Sequence, residues 1–151
     1  MKLSNNFTLR ELVRSQTAER RGINNTPSDE IVESLKQTTR RILQPVRDHF
    51  GIPFSPSSGY RCEALSLAIG SSKKSQHNFG QAVDFEVPTI DNLTLAKWID
   101  ANIDVDQLIL ECYRYGDPNS GWVHVSWVPD ARRMDVMTYV VGKGFSQGLG
   151  G

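Results

Sequence analysis

Cysteine is scarce in this chain, with only Cys62 and Cys112 in 151 residues. Two cysteines build no disulfide framework, and without a C-x-x-C pair or a third soft ligand nearby they build no thiolate metal site. Buried free thiols are the expected state of both, with a single bridge as the alternative. Net charge is lacking as well. The 17 basic residues balance 17 acidic ones, so nothing marks the chain for nucleic acid or an anionic membrane. No apolar run approaches the roughly 20 residues that a spanning helix needs, which excludes membrane insertion by a helix. The first ten residues hold no apolar stretch of the kind a secretory signal carries. Synthesis in the cytoplasm is therefore expected, and a role outside it requires help to leave. No linker interrupts the sequence, so residues 1–151 are expected to form one domain, acting as a monomer.

What is present is organised as helices first and strands later. Thr8 and Glu11 form a capping-box pattern, which predicts a short helix from about Leu9 to Ser15. Thr26, Pro27 and Asp29 then supply a cap, a first-turn proline and a first-turn acid. Apolar residues recur at helical spacing from Ile31 through Leu35, Ile42, Leu43 and Val46 to Phe50, predicting one long helix over residues 27–50. Pro45 is expected to bend it. A short strand at 54–58 and a helical turn at 64–69 follow. Residues 71–80 read as a polar loop and 82–87 as a strand with Val83, Phe85 and Val87 in the core. A helix over 93–101 precedes a hairpin of strands at 107–113 and 122–128, and 134–141 is a last strand. From Gly142 the glycine-rich tail is expected to fray. The sum is an α+β domain whose helices pack on a mostly antiparallel sheet.

Histidine is scarce too, at three residues, and two of the three lie in short distinctive stretches, S-Q-H-N-F-G-Q-A-V-D around His77 and W-V-H-V-S around His124. With Asp84 they make a His, Asp, His set suited to one divalent metal. Zinc is the first choice, because two imidazoles and a carboxylate leave a fourth position open, as catalytic sites do. Spacing alone leaves a second reading open, in which these are ordinary hydrogen-bonded histidines. His49, at the end of the long helix, fits that reading: a cationic side chain there is favourable without any function. Glu86 is expected to be a solvated strand residue, and Asp104 and Asp106 turn residues before a strand. If the hairpin pairs Tyr113 with Trp122, Glu111 falls directly opposite His124, where it can serve as a general base. That expectation depends on register.

Ser58-Gly59-Tyr60-Arg61, the S-x-H-x-x-G-x-A-x-D run from Ser75 to Asp84, and Trp122-x-His124 together resemble the M15 family of zinc peptidases. The likeness is to its D-Ala-D-Ala carboxypeptidase-like and endolysin-type branch. Phe7-Thr8-x-x-Glu11-Leu12, Asn25-x-Pro27 and Leu43-x-Pro45-Val46-Arg47 extend the resemblance over residues 5–128. It implies a hedgehog-like α+β fold, one Zn2+ on His77, Asp84 and His124, and hydrolysis of peptidoglycan stem peptides. Arg61 would bind a substrate carboxylate or polarise the scissile carbonyl. Ser75, Tyr60 and Ser126 would contact substrate or orient the groups that do. Two departures stand out. Gly121 occupies the position three before the last histidine where many members carry an acid, which leaves the base to Glu111. Ser66 stands where asparagine is commoner. A phage lysin of this kind would be released to the wall by a holin-type factor. The competing expectation, from a different class, is a zinc-stabilised virion or wall-binding module without catalysis.

Overall fold

The computed structural model describes residues 1–130 and 132–150. Two short helices, α1 (Leu9–Val13) and α2 (Gln16–Arg21), open the chain. Thr8 caps α1 with the full reciprocal capping box, while Ser15 caps α2, a helix the sequence pattern did not indicate. The long helix forms as one run from Asp29 to Phe50, made of α3 (Asp29–Thr38), a π-helical stretch (Thr39–Leu43) and α4 (Gln44–Phe50). Its cap is Ser28 rather than Thr26. The wider π turn lies just ahead of Pro45, which lacks an N–H and whose ring crowds the carbonyl one turn back, so the local widening accommodates the proline.

After α5 (Glu63–Ala68), a 3-10 turn (Gln76–Phe79) leads into β1 (Ala82–Phe85). Helix α6 (Asn92–Asn102) precedes β2 (Gln107–Glu111) and β3 (Trp122–Ser126), and β4 (Asp135–Val140) and β5 (Gly144–Gln147) complete the sheet. The strand order is β1-β3-β2-β4-β5. All neighbours are antiparallel except β2 and β4, which run parallel. Two expectations are corrected. The predicted strand at 54–58 is reduced to a single bridge between Ser58 and Asp84. The tail expected to fray from Gly142 instead turns back as β5, and Thr138 Oγ1 donates to the Gly148 carbonyl at 2.7 Å to hold it.

The sheet separates two environments by its alternation. Val83, Phe85, Leu108, Leu110, Val123 and Val125 are fully buried on the helix-covered face, with Leu35, Ile42, Leu95 and Ile99 in the same core. The other face carries Asp84, His124, Glu111 and Trp122. Cys62 and Cys112 are free thiols. Among the described residues no helix is long and apolar enough to cross a membrane.

Candidate metal centre

Asp84 and His124 face each other across the β1–β3 pairing. His124 Nδ1 lies 2.8 Å from Asp84 Oδ1. His77 arrives from the 3-10 turn, where the Ser75 hydroxyl accepts the His77 backbone N–H at 3.2 Å. Gly80 closes that turn in the left-handed region at φ 69°, and a Cβ there would press on Ile31 and Leu35 of α3 at 3.1–3.2 Å. The Thr38 hydroxyl donates to the Gly80 carbonyl at 2.7 Å. The turn is thus pinned to the long helix.

The orientation of the His77 ring is decisive. Its Nδ1 donates to the Gly59 carbonyl at 2.8 Å, which fixes the tautomer and leaves the Nε2 lone pair free. Nε2 lies 3.4 Å from Asp84 Oδ1 and has no hydrogen-bond partner, although the residue is only 2% exposed. Burial holds the imidazole below its usual pKa, against Asp84, which raises it, so the ring is a neutral donor. Burial works to raise the Asp84 pKa, but the hydrogen bond from His124 and the nearby His77 ring outweigh it and keep the carboxylate ionised well below its ordinary range. Donor atoms of His77, Asp84 and His124 lie within 4.8 Å of one another. An orphaned buried imidazole nitrogen, a second imidazole and an ionised carboxylate converging this closely fit a divalent cation, with zinc the best match to the donor set.

Arg61 stands beside this set, its Nη2 3.9 Å from Asp84 Oδ2 and its buried Nε without a partner. Its loop is braced by Asn25, which in the sequence stands only as part of the Asn25-x-Pro27 motif. Asn25 Nδ2 donates to the Tyr60 carbonyl at 3.0 Å, and its Oδ1 accepts the Cys62 N–H at 2.8 Å, so both neighbours of Arg61 are clamped. Gly59 is also forced, because a Cβ there would lie 2.3 Å from the Leu12 carbonyl oxygen. Helix α1, the Arg61 loop and the His77 ring are therefore locked through a single tight crossing.

Glu111 does not lie directly opposite His124. The β2–β3 register pairs Glu111 with Trp122 and Ile109 with His124, two residues away from the expected alignment. A slip of two keeps the side chain on the same face, so Glu111 remains diagonal to His124 at about 7–8 Å between backbones. From that position it shares the face of the sheet that carries His124 and Asp84. Burial raises its pKa, His124 lowers it, Asp84 raises it, and Trp122 and Arg61 lower it. Gly121 explains both the register and the missing motif acid. It sits at φ 67°, and a Cβ would fall 2.0 Å from the Glu111 carbonyl oxygen. Only glycine permits this close approach, so no acidic side chain can occupy position 121 here.

The other expected site residues divide. Ser75 touches His77 only through its backbone. Tyr60 is 9% exposed and packs in the core while lining the groove beside Arg61. Ser126 is fully buried, which removes it from direct contact with substrate. Asp106, expected as a simple turn residue, is a buried hub. Its carboxylate accepts from Arg133 Nη2 at 2.8 Å and from Gln76 Nε2 at 2.9 Å. His49 stacks on Trp98 with ring centroids 4.4 Å apart, in keeping with a packing role.

The family model described as Peptidase M15 matches residues 5–126, ending on the last residue of β3. No curated protein matches the chain.

Proposed function

The chain belongs to the Peptidase M15 family and carries a candidate metal site of His77, Asp84 and His124, and from this premise we propose that it hydrolyses peptide bonds in peptidoglycan stem peptides. The observation that carries the reading is the unpartnered His77 Nε2 converging with Asp84 and His124 beside Arg61 and Glu111. The substrate class rests on the S-G-Y-R, S-x-H-x-x-G-x-A-x-D and W-x-H sequences. Zinc held by His77, Asp84 and His124 would act as a Lewis acid toward the scissile carbonyl and its attacking water.

The chain's own groups divide the remaining work. Glu111, its pKa raised by burial, is suited to take a proton from the attacking water and deliver it to the departing amine as the C–N bond breaks. Arg61, flanked by the clamped Tyr60 and Cys62, presents a fixed guanidinium to the developing oxyanion or to a substrate carboxylate. The Gly59 carbonyl holds the His77 ring in place, and the Ser75 hydroxyl holds its backbone N–H. In this reading the enzyme meets the wall after release from the cytoplasm, as an endolysin does.

Digestion of purified peptidoglycan, followed by mass spectrometry of the muropeptides, tests the proposal. The zinc-loaded protein should release new peptide ends, and a chelator should stop it. Glu111→Gln should lower the rate by roughly 100-fold or more while zinc content is retained. Undiminished cleavage by that variant would remove Glu111 as the base. No cleavage of any peptidoglycan by the zinc-loaded wild type would overturn the substrate class.

A further inference from the structure

Arg61 borders the metal set on one side and a groove of about 700 Å³ on the other. That volume lies within the usual range for ligand sites, about 300–1,000 Å³. Arg14 and Arg20 from the α1–α2 segment line it along with Arg61, and Glu19 is its single acid. Neither Arg14 nor Arg20 makes an ion pair among the described residues; the nearest tie is Arg20 Nη2 to Thr17 Oγ1 at 3.4 Å. Leu65 and Ile69 of the α5 segment add an apolar wall, and Ile69 is 44% exposed. Three guanidiniums around one concavity, with one carboxylate to offset them, make a positive field that is focused rather than spread.

We propose that this groove binds the part of the substrate carrying a free carboxylate, with Arg14 and Arg20 as the recognising residues. The ligand class is an acidic peptide with small aliphatic side chains: the carboxylate meets the forked guanidiniums and the aliphatic groups lie on Leu65 and Ile69. Continuity through Arg61 places such a segment next to the reacting bond. The proposal rests on the peptidase reading and adds a preference to it, for stem peptides whose glutamate carboxylate is free over those in which it is amidated.

Two measurements keep the two readings apart. The first is calorimetric binding of an alanine-rich pentapeptide carrying one glutamate, against its glutamine counterpart, to the zinc-loaded protein. The acidic peptide should bind about tenfold more tightly, as a charge-assisted hydrogen bond implies. The difference should shrink in high salt and vanish in the Arg14→Gln/Arg20→Gln variant. Both positions are exposed, and an unchanged melting temperature would show that the variant is folded. Equal binding of the two peptides by wild type, or a preference that survives the double substitution, overturns the assignment. The second is cleavage of free and amidated stem peptides, where the wild-type preference should appear in KM and be lost in the variant. Should no stem peptide be cleaved while the binding preference holds, the peptidoglycan reading falls and the carboxylate-binding groove stands.

Discussion

Asp84 and Asp106 are both carboxylates held ionised below their usual range, yet their surroundings are opposite in one respect. Asp106 is saturated. Arg133 approaches it with Nε and Nη2 as well as its backbone N–H, and Gln76 adds a further donor. Asp84 is under-filled: one oxygen is shared between two imidazoles, and among the described residues the other has only Arg61 Nη2, at 3.9 Å. Around it, His77 Nε2 and Arg61 Nε are buried without partners. Buried polar groups left unpaired are costly, by about 1–3 kcal/mol each, and folded chains rarely keep them without a reason. The saturated aspartate has its partners inside the chain, whereas the under-filled one is left open to a group from outside, as a candidate metal set requires. That difference separates a structural charge cluster from a binding site without reference to any motif.

Asp84→Asn tests the contrast most severely. An amide is a poor zinc ligand, and it removes the charge that both imidazoles face. Zinc per chain, read by elemental analysis, should drop towards zero, and peptidase activity should fall by more than about 100-fold, beyond the usual loss for a residue that merely orients a ligand. The circular dichroism spectrum should be retained, since the apolar face of the sheet is untouched. Full zinc content in Asp84→Asn would break the assignment of the centre.

The contrast also marks what a sequence displays. The candidate metal set was only half legible from spacing, with His77 and Asp84 on one loop-to-strand segment and His124 on an alternating strand; the resemblance of the surrounding motifs to a known family singled it out. The α+β class and the long helix were legible from periodicity, since both depend on local apolar spacing. The β2–β3 register was not, because the close approach of Gly121 to Glu111 is a contact between segments that no alternation pattern encodes. The parallel placement of β4 beside β2 and the return of β5 are likewise settled by distant pairing, and both lie beyond the matched family region. Asp106 looked like a turn residue because its partners, Gln76 and Arg133, are far off in sequence.

Asp106→Asn should have a smaller effect of a different kind. It leaves Arg133 and Gln76 facing a group that no longer carries charge, and a lost hydrogen bond to a charged group is worth about 2 kcal/mol. Denaturant unfolding should show a loss of that order, with zinc content and activity near those of wild type. Gln76 adjoins His77, however, so this variant also sharpens the comparison. A fall in zinc affinity alongside the stability loss would mean that the saturated cluster holds the metal-bearing turn in place, and the two aspartates would then belong to one device.

The smallest expected effect is in the acid limb of stability. Hydrogen bonds from Arg133 bring the Asp106 pKa down to about 2, against burial, which raises it, with the Arg133 backbone N–H and Gln76 assisting. In the unfolded chain the group titrates at about 3.9. Because the folded value is the lower one, the unfolded state binds more protons between these limits, and stability falls as pH falls through that window. The contribution is fully present above the unfolded value and disappears as pH approaches about 2. Unfolding midpoints of wild type and Asp106→Asn, followed from pH 6 to pH 2.5, should therefore converge on acidification, while the titration of Asp84, common to both, cancels in the difference. A gap that stays constant across the range would mean that Asp106 acts through packing and not through its charge, and the saturated half of the comparison would lose its electrostatic basis.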